Sequence, residues 1–368
     1  MKRVLAAAVV CAICASGAAQ APRVVSPDVA ADGRVTFRLR APNADAVILS
    51  GEFLTADRPL EKGADDVWAV TVGPIAPEIY HYNFTIDGVR TIDPSNPNVK
   101  TGSTASTLSS VLEMRPSSPA FYDAQLVPHG EIRTHWYYSK SLTAVRRLTV
   151  YTPPRYENDR GARYPVLYLF HGANADENAW YRLGRANLIL DNLLSAGKIQ
   201  PFIVVMPFGY GVRPDLPQAE NTERFGNDLL QDVIPYIDAN YRTHSDRDRR
   251  AIFGLSMGGG QALSIGLNNL DRFAFVGGFS SGLGSAANYP KTYARLIADA
   301  EGANRRLHLV WIGCGREDGQ FGQSKSLSDF LTAHKIEHTF RETEGAHTWM
   351  VWRRYLYEVA PLLFKQRT

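Results

Sequence analysis

The segment Gly254-Leu255-Ser256-Met257-Gly258 carries the most specific chemical content in the chain, because it sits between the apolar run Ala251-Ile252-Phe253 and the helix-like stretch GGGQALSIGLNNL. Glycine and serine are common, so the pattern GxSxG alone says little. A strand before it and a helix after it make it a nucleophile elbow. The serine then occupies a tight, strained turn, and small flanking residues let strand and helix approach while the hydroxyl projects into solvent. The chemistry this implies is acyl transfer through Ser256.

Serine attacks poorly at neutral pH unless an imidazole takes its proton and a carboxylate orients that imidazole. Downstream of Ser256 lie His308, His334, His338 and His347. His308 falls inside a strand, and His334 and His338 flank the end of a polar helix, where packing or solvation accounts for them. His347 falls in ETEGAHTWMVW, a glycine-containing loop between the last strand and the C-terminal helix, and is the expected base. The strand-ending segment WIGCGREDG offers Glu317 and Asp318 as the orienting acid, and residue class does not choose between them. An oxyanion needs two preorganised backbone donors. Met257 supplies the first, and Gly172 or Ala173, in the turn HGANADENAW, supplies the second. His171 in that turn reads as a loop-organising hydrogen-bond partner.

These groups need a scaffold, and the chain supplies two patterns. Residues 22–115 show short alternating apolar runs with Gly, Pro and Asp-Gly punctuation, which predicts a small all-β, immunoglobulin-like sandwich. Residues 116–130, rich in proline, read as a linker with an apolar patch that docks on a domain. Over residues 131–368, buried-looking strands at 148–153, 165–172, 202–209, 251–256, 273–280 and 307–315 alternate with helical stretches at 185–197, 225–240, 257–269, 322–334 and 349–364. Continuous apolar strands between amphipathic helices predict an α/β domain of the α/β-hydrolase type, a mostly parallel sheet with helices on both faces.

The 368 residues carry 40 basic and 37 acidic side chains, a net charge of +3. Nothing in that balance favours nucleic acid or an anionic membrane. Lys2 and Arg3, the apolar run LAAAVVCAICA and small residues ending Ala19-Gln20-Ala21 read as a bacterial-type signal peptide over residues 1–21, which places the mature protein in the periplasm or outside the cell without a membrane anchor. The apolar run is shorter than the ~20 residues a spanning helix needs. Cys11 and Cys14 would leave with it, so Cys314 has no intrachain partner.

The segments LFHGANADENAW, GRANLILDNLL, VVMPFG, GLSMGGGQAL, WIGCGREDG and EGAHTWMVWRRYL, in this order and spacing, resemble carbohydrate esterase family 1, which includes feruloyl and acetylxylan esterases. The likeness covers residues 131–368. It implies a triad of Ser256, Asp318 and His347, an oxyanion hole of Met257 and Ala173, and hydrolysis of feruloyl or acetyl esters on plant cell-wall polysaccharides or oligosaccharides, with no metal or organic cofactor. Trp180, Tyr181, Tyr210 and Trp349, in loops at the expected active face, are then candidates for an aromatic wall against a hydroxycinnamoyl group, or equally loop anchors.

The N-terminal segment, through RVTFRLRAPNADAVILSGEF, VWAVTVGP and YHYNFTIDGVRTIDPSNP, resembles carbohydrate-binding module family 48. That likeness makes Trp68, Tyr80 and Tyr82 candidate sugar-stacking residues. Core positions, or walls of the catalytic cleft, are the competing assignment. Two rival functions remain. Enterochelin-type siderophore esterases also join an immunoglobulin-like domain to a hydrolase domain, and their anionic substrate calls for arginines at the cleft, here Arg182, Arg185 and Arg213. The other is a carbohydrate-binding protein with an inactive hydrolase fold, which an intact triad opposes. Acyl transfer to a sugar acceptor, as in mycolyltransferase relatives, is a variant of the same chemistry.

Overall fold

The computed structural model describes residues 23–63, 65–101, 108–116, 120–211 and 217–365; the signal-like segment Met1–Ala21 and Arg213 lie outside the described residues. The N-terminal region forms ten short strands: β1 (Asp28–Val29), β2 (Val35–Arg40), β3 (Val47–Gly51), β4 (Arg58–Pro59), β5 (Glu61–Lys62), β6 (Val67–Val72), β7 (Ile79–Ile86), β8 (Val89–Thr91), β9 (Val99–Lys100) and β10 (Ser109–Glu113). They build two antiparallel sheets, β1-β2-β6-β5 and β4-β3-β7-β10-β9, with β8 paired to β7. Alternation decides what goes inside: Val35, Phe37 and Leu39 of β2 are buried while the residues between them are not. Trp68 and Tyr82 belong to this core. The indole of Trp68 donates to the Ala41 carbonyl at 2.9 Å. The Tyr82 hydroxyl donates to Asp93 at 2.8 Å. Neither presents a face to a sugar, so of the two assignments these candidates take the core one.

The second region holds an eight-stranded sheet made of β11 (Glu131–Ser139), β12 (Ala144–Thr152), β13 (Val166–Phe170), β14 (Ile203–Pro207), β15 (Arg250–Gly254), β16 (Phe275–Phe279), β17 (Leu309–Gly315) and β18 (Thr339–Thr343). Their order is β11-β12-β14-β13-β15-β16-β17-β18. The pairs β11/β12 and β12/β14 are antiparallel, and the rest of the sheet is parallel. The continuous apolar run of β13 has a plain cause. Val166, Tyr168 and Phe170 enter one core, and Leu167 and Leu169 enter the core on the opposite face. Each such side chain contributes roughly 1.5–3 kcal/mol by leaving water.

The two regions are bolted together by a part-buried polar junction. Glu113 of β10 accepts from Arg353 at 3.1 Å and pairs with Arg185. The guanidinium of Arg353 also donates to the Leu183 carbonyl and lies 4.2 Å over the Tyr122 ring. Tyr122, from the proline-rich segment before β11, is buried. Arg353 is 1% exposed, so removing Glu113 would strand a buried charge at a cost of about 3–5 kcal/mol.

Candidate active site

Ser256 stands between β15 and the helix Met257–Asn268 with φ 52° and ψ −119°. That conformation costs a non-glycine residue about 1–3 kcal/mol and persists only where surroundings enforce it. Here the Ser256 N–H donates to Phe279 at 2.8 Å, and its carbonyl accepts from Gly260 and Gly282. The flanking glycines are required by space. A Cβ on Gly254 would stand 2.4 Å from the Gly258 carbonyl oxygen, and one on Gly258 2.4 Å from that of His171.

His347, in the loop after β18, brings Nε2 to 3.0 Å from Ser256 Oγ. Its Nδ1 lies 2.9 Å from both Asp318 carboxylate oxygens. Asp318 is buried behind it. Burial pushes its carboxyl up, but hydrogen bonds from His347, Ser280 and the Gln320 N–H outweigh this and hold it below its usual range. An acid kept ionised this way fixes the imidazole with its Nδ1 proton toward Asp318, leaving Nε2 to accept from the serine. Glu317 points elsewhere. Its carboxylate accepts from the Gly345 N–H and so pins the loop that carries His347.

Three supports were not read from the sequence. Ser280, at the end of β16, is buried and contacts Asp318. The indole of Trp352 donates to Ser280 Oγ at 2.9 Å and packs edge-on against His347 at 4.9 Å. Glu78 reaches across from the sandwich to Thr348, beside His347. Each acts through tertiary contact, and none has a local motif.

Met257 opens its helix, so its N–H has no intrahelical acceptor. Ala173 lies with Ser256 and Met257 around one depression. Its loop is held by Asn174 (φ 58°), whose N–H donates to the Tyr210 hydroxyl at 2.8 Å. His171 accepts from Gly209 at 2.9 Å and donates through Nδ1 to the Gly172 carbonyl, and full burial pushes its pKa down to about 4. It is neutral and structural, as expected. His334 and His338 are likewise engaged in hydrogen bonds around their own helix, far from this site in role.

A cavity of about 550 Å³ is lined by Ser256 and His347 from the hydrolase domain and by Tyr80, His81 and Lys100 from the sandwich. Trp349 forms part of its wall. Tyr210 is 4% exposed and anchors the Ala173 loop. Two aromatic candidates are corrected. Trp180 is 1% exposed with its indole donating to Phe170, a core residue beneath Trp349. Tyr181 lines a separate depression together with Arg182 and Arg185. Those arginines therefore do not face Ser256, and Arg185 is paired to Glu113 and Asp123.

The fold and this serine-histidine-aspartate arrangement define an esterase of the α/β-hydrolase class. The esterase family model ("Putative esterase") matches residues 139–363, and the chain belongs to that family. It is 34% identical over 351 residues to an endo-1,4-beta-xylanase/feruloyl esterase from Xylanibacter ruminicola, an alignment covering 92% of this chain and 46% of that protein. The chain thus spans about half the length of that relative. A ferulic acid esterase of carbohydrate esterase family 1 from Anaeromyces mucronatus, solved with ferulic acid, matches 69% of this chain and 98% of its own at 25% identity and a TM-score of 0.57. The enterobactin esterase of Shigella flexneri shares the fold over 89% of this chain and 92% of its own, with 20% identity and a TM-score of 0.64.

Proposed function

We propose that this protein is a serine esterase that hydrolyses feruloyl or acetyl esters on plant cell-wall polysaccharides or their oligosaccharides. The observation that carries the reading is the continuous relay from Ser256 Oγ through His347 to a buried Asp318, opening into a cavity with aromatic walls. His347 removes the proton from Ser256 as it attacks the ester carbonyl. The tetrahedral intermediate, its oxyanion held by the Met257 and Ala173 amides, collapses by breaking the bond to the sugar oxygen and leaves the acyl group esterified to Ser256. His347 gives its proton to that leaving oxygen, and a water deprotonated by the same imidazole then attacks the acyl-enzyme, releasing the acid and returning the proton to Ser256. Asp318 orients the imidazole throughout. The similarity to a xylanase/feruloyl esterase supports a xylan-linked ester as substrate.

The siderophore alternative is disfavoured by charge. Glu52 and Glu78 share the cavity with the single cation Lys100 among its described lining residues, a poor match for a highly anionic ferric catecholate. The residue 1–21 pattern supports export, and we propose that the enzyme acts in the periplasm or outside the cell. The test is release of ferulic acid from feruloylated arabinoxylan oligosaccharides and of acetate from acetylated xylan. Ser256→Ala is expected to lower either activity on the order of 10⁴-fold or more. A Ser256→Ala protein that keeps the wild-type rate overturns the assignment.

A further inference from the structure

The edge of the catalytic sheet carries a surface that the reaction at Ser256 does not use. Trp136 and Tyr138 of β11 are 65% and 57% exposed, while Tyr137 between them is buried. The two rings therefore project from one face of the strand, roughly 7 Å apart along it. Register sets Arg147 of β12 opposite Trp136, and Val145, also exposed, opposite Tyr138. The Arg147 guanidinium lies 5.3 Å over the Trp136 ring, and its Nε pairs at 3.0 Å with the buried Glu177. The indole is thereby held in one orientation with most of its surface in water. Two aromatic rings and a valine gathered on one exposed face mark an interaction surface.

Register also places that surface. β12 pairs with β14 over residues 148–151, with Leu148 opposite Pro207, the last residue of β14. Residues 144–147, and residues 136–139 of β11 paired with them, thus extend past the end of β14. Carried through β14 and β13, the pairing sets Pro207 level with Gly254, two residues before Ser256. The rings stand at the same edge of the sheet as the nucleophile, and Glu177 belongs to the turn that carries Ala173. Chemistry selects the occupant. Glu177 balances the charge of Arg147, so the patch has little to draw an anionic lipid or a nucleic acid. The C–H-lined faces of sugar rings pack on aromatic rings, and Thr134, exposed on the same face, offers a hydroxyl to theirs. Strand pairing with a second copy is opposed at the start of β11 by charge, where Arg133 is paired to Glu131 and Glu157. We propose that Trp136 and Tyr138 form a second binding surface for a neutral polysaccharide chain, holding the polymer at the catalytic edge while Ser256 acts on the esters it bears. This rests on the esterase reading above and extends it from the bond cleaved to the polymer that carries it. Trp68 and Tyr82 are committed to the sandwich core, and the hydrolase domain supplies the sugar-stacking face instead.

The experiment is affinity electrophoresis of the full chain in native gels containing soluble arabinoxylan, with polygalacturonate as the anionic comparison. The wild type should be retarded by arabinoxylan, and the Kd is expected to rise roughly tenfold in Trp136→Ala and in Tyr138→Ala. Trp136→Tyr, which keeps a ring, should lose much less. On methyl ferulate, which brings no polymer, kcat/KM should stay within about twofold for every variant, so that lost affinity is not lost folding. A wild type that arabinoxylan does not retard, or a Trp136→Ala/Tyr138→Ala protein retarded as strongly as the wild type, overturns the inference and leaves the esterase reading standing. Retardation by polygalacturonate in place of arabinoxylan also overturns it. So does light scattering that shows a wild-type dimer and a monomeric double variant, which would assign the face to a second copy of the chain. A wild type that binds arabinoxylan through these rings but releases neither ferulate nor acetate from it upholds the surface and overturns the proposed substrate.

Discussion

Glu78 of the sandwich and Thr348 of the hydrolase domain meet at 2.7 Å, the carboxylate accepting the hydroxyl immediately beside His347. Glu78 also accepts from the Met350 N–H at 3.2 Å and the Ile79 N–H at 2.8 Å. Thr348 caps the helix Trp349–Val359 but makes no side-chain cap bond of its own. Glu78 performs that service from the other domain, placing a carboxylate at the helix N-terminus, where the dipole favours it.

Removing it should therefore be felt at His347. Glu78→Ala leaves a part-buried hydroxyl and two N–H groups without this acceptor, and kcat is expected to fall about tenfold. Glu78→Gln, whose amide oxygen still accepts from Thr348, should lose less. In a double-mutant cycle with Thr348→Val, steady-state kinetics should show strongly sub-additive losses. Additive losses would mean that the two residues act independently.

The two acids after β17 divide their labour. Asp318→Asn keeps the shape but offers an amide N–H where Nδ1 needs an acceptor, and kcat is expected to drop about 10³–10⁴-fold. Glu317→Gln still accepts from the Gly345 N–H, so its loss should stay within about threefold. Measuring both on p-nitrophenyl acetate separates them. Comparable losses would contradict the geometry.

His171 makes acid stability a readout of the oxyanion loop. Its folded pKa is depressed from 6.5 to about 4 by burial. Between those values the unfolded chain binds a proton that the folded chain refuses, so stability rises with pH across the window. The contribution is fully present above pH 6.5 and is lost as pH falls toward 4, a change on the order of 3 kcal/mol. Denaturant midpoints measured from pH 7.5 to 4 should decline steeply in the wild type and less in His171→Gln. Parallel declines would place the acid sensitivity elsewhere.

The elements around the site were legible because their causes are local. Strand-helix alternation, the glycine spacing at Ser256 and the loop position of His347 all follow from residues near in sequence. The helix predicted at 225–240 begins earlier, at Gln218, because a polar first stretch, QAENTE, carries no apolar period to announce it. β11 was missed for a similar reason. It is an edge strand with Trp136 and Tyr138 facing solvent, so its aromatics mark no core. The choice of Asp318 over Glu317 came from family likeness, and the structure supplies its physical reason in Ser280 and Trp352. The sandwich's place at the cavity depends on domain packing, through contacts such as Thr101 to Asp176 at 2.6 Å, which no motif encodes.

Tyr210 tests whether the loop aromatics anchor or recognise. Its ring is buried and its hydroxyl accepts the Asn174 N–H, next to Ala173. Tyr210→Phe removes the acceptor and keeps the packing, so Asn174, already in a left-handed conformation, loses a tie that holds it. The Ala173 amide then drifts from the position an oxyanion will occupy, and kcat is expected to fall about tenfold with little change in KM, less than the loss of a whole oxyanion-hole donor. Every ester passes through the same oxyanion, whatever its acyl group. Methyl ferulate, methyl cinnamate and p-nitrophenyl acetate should therefore lose rate in the same proportion. A loss concentrated on the aryl esters would instead make Tyr210 a wall of the acyl site.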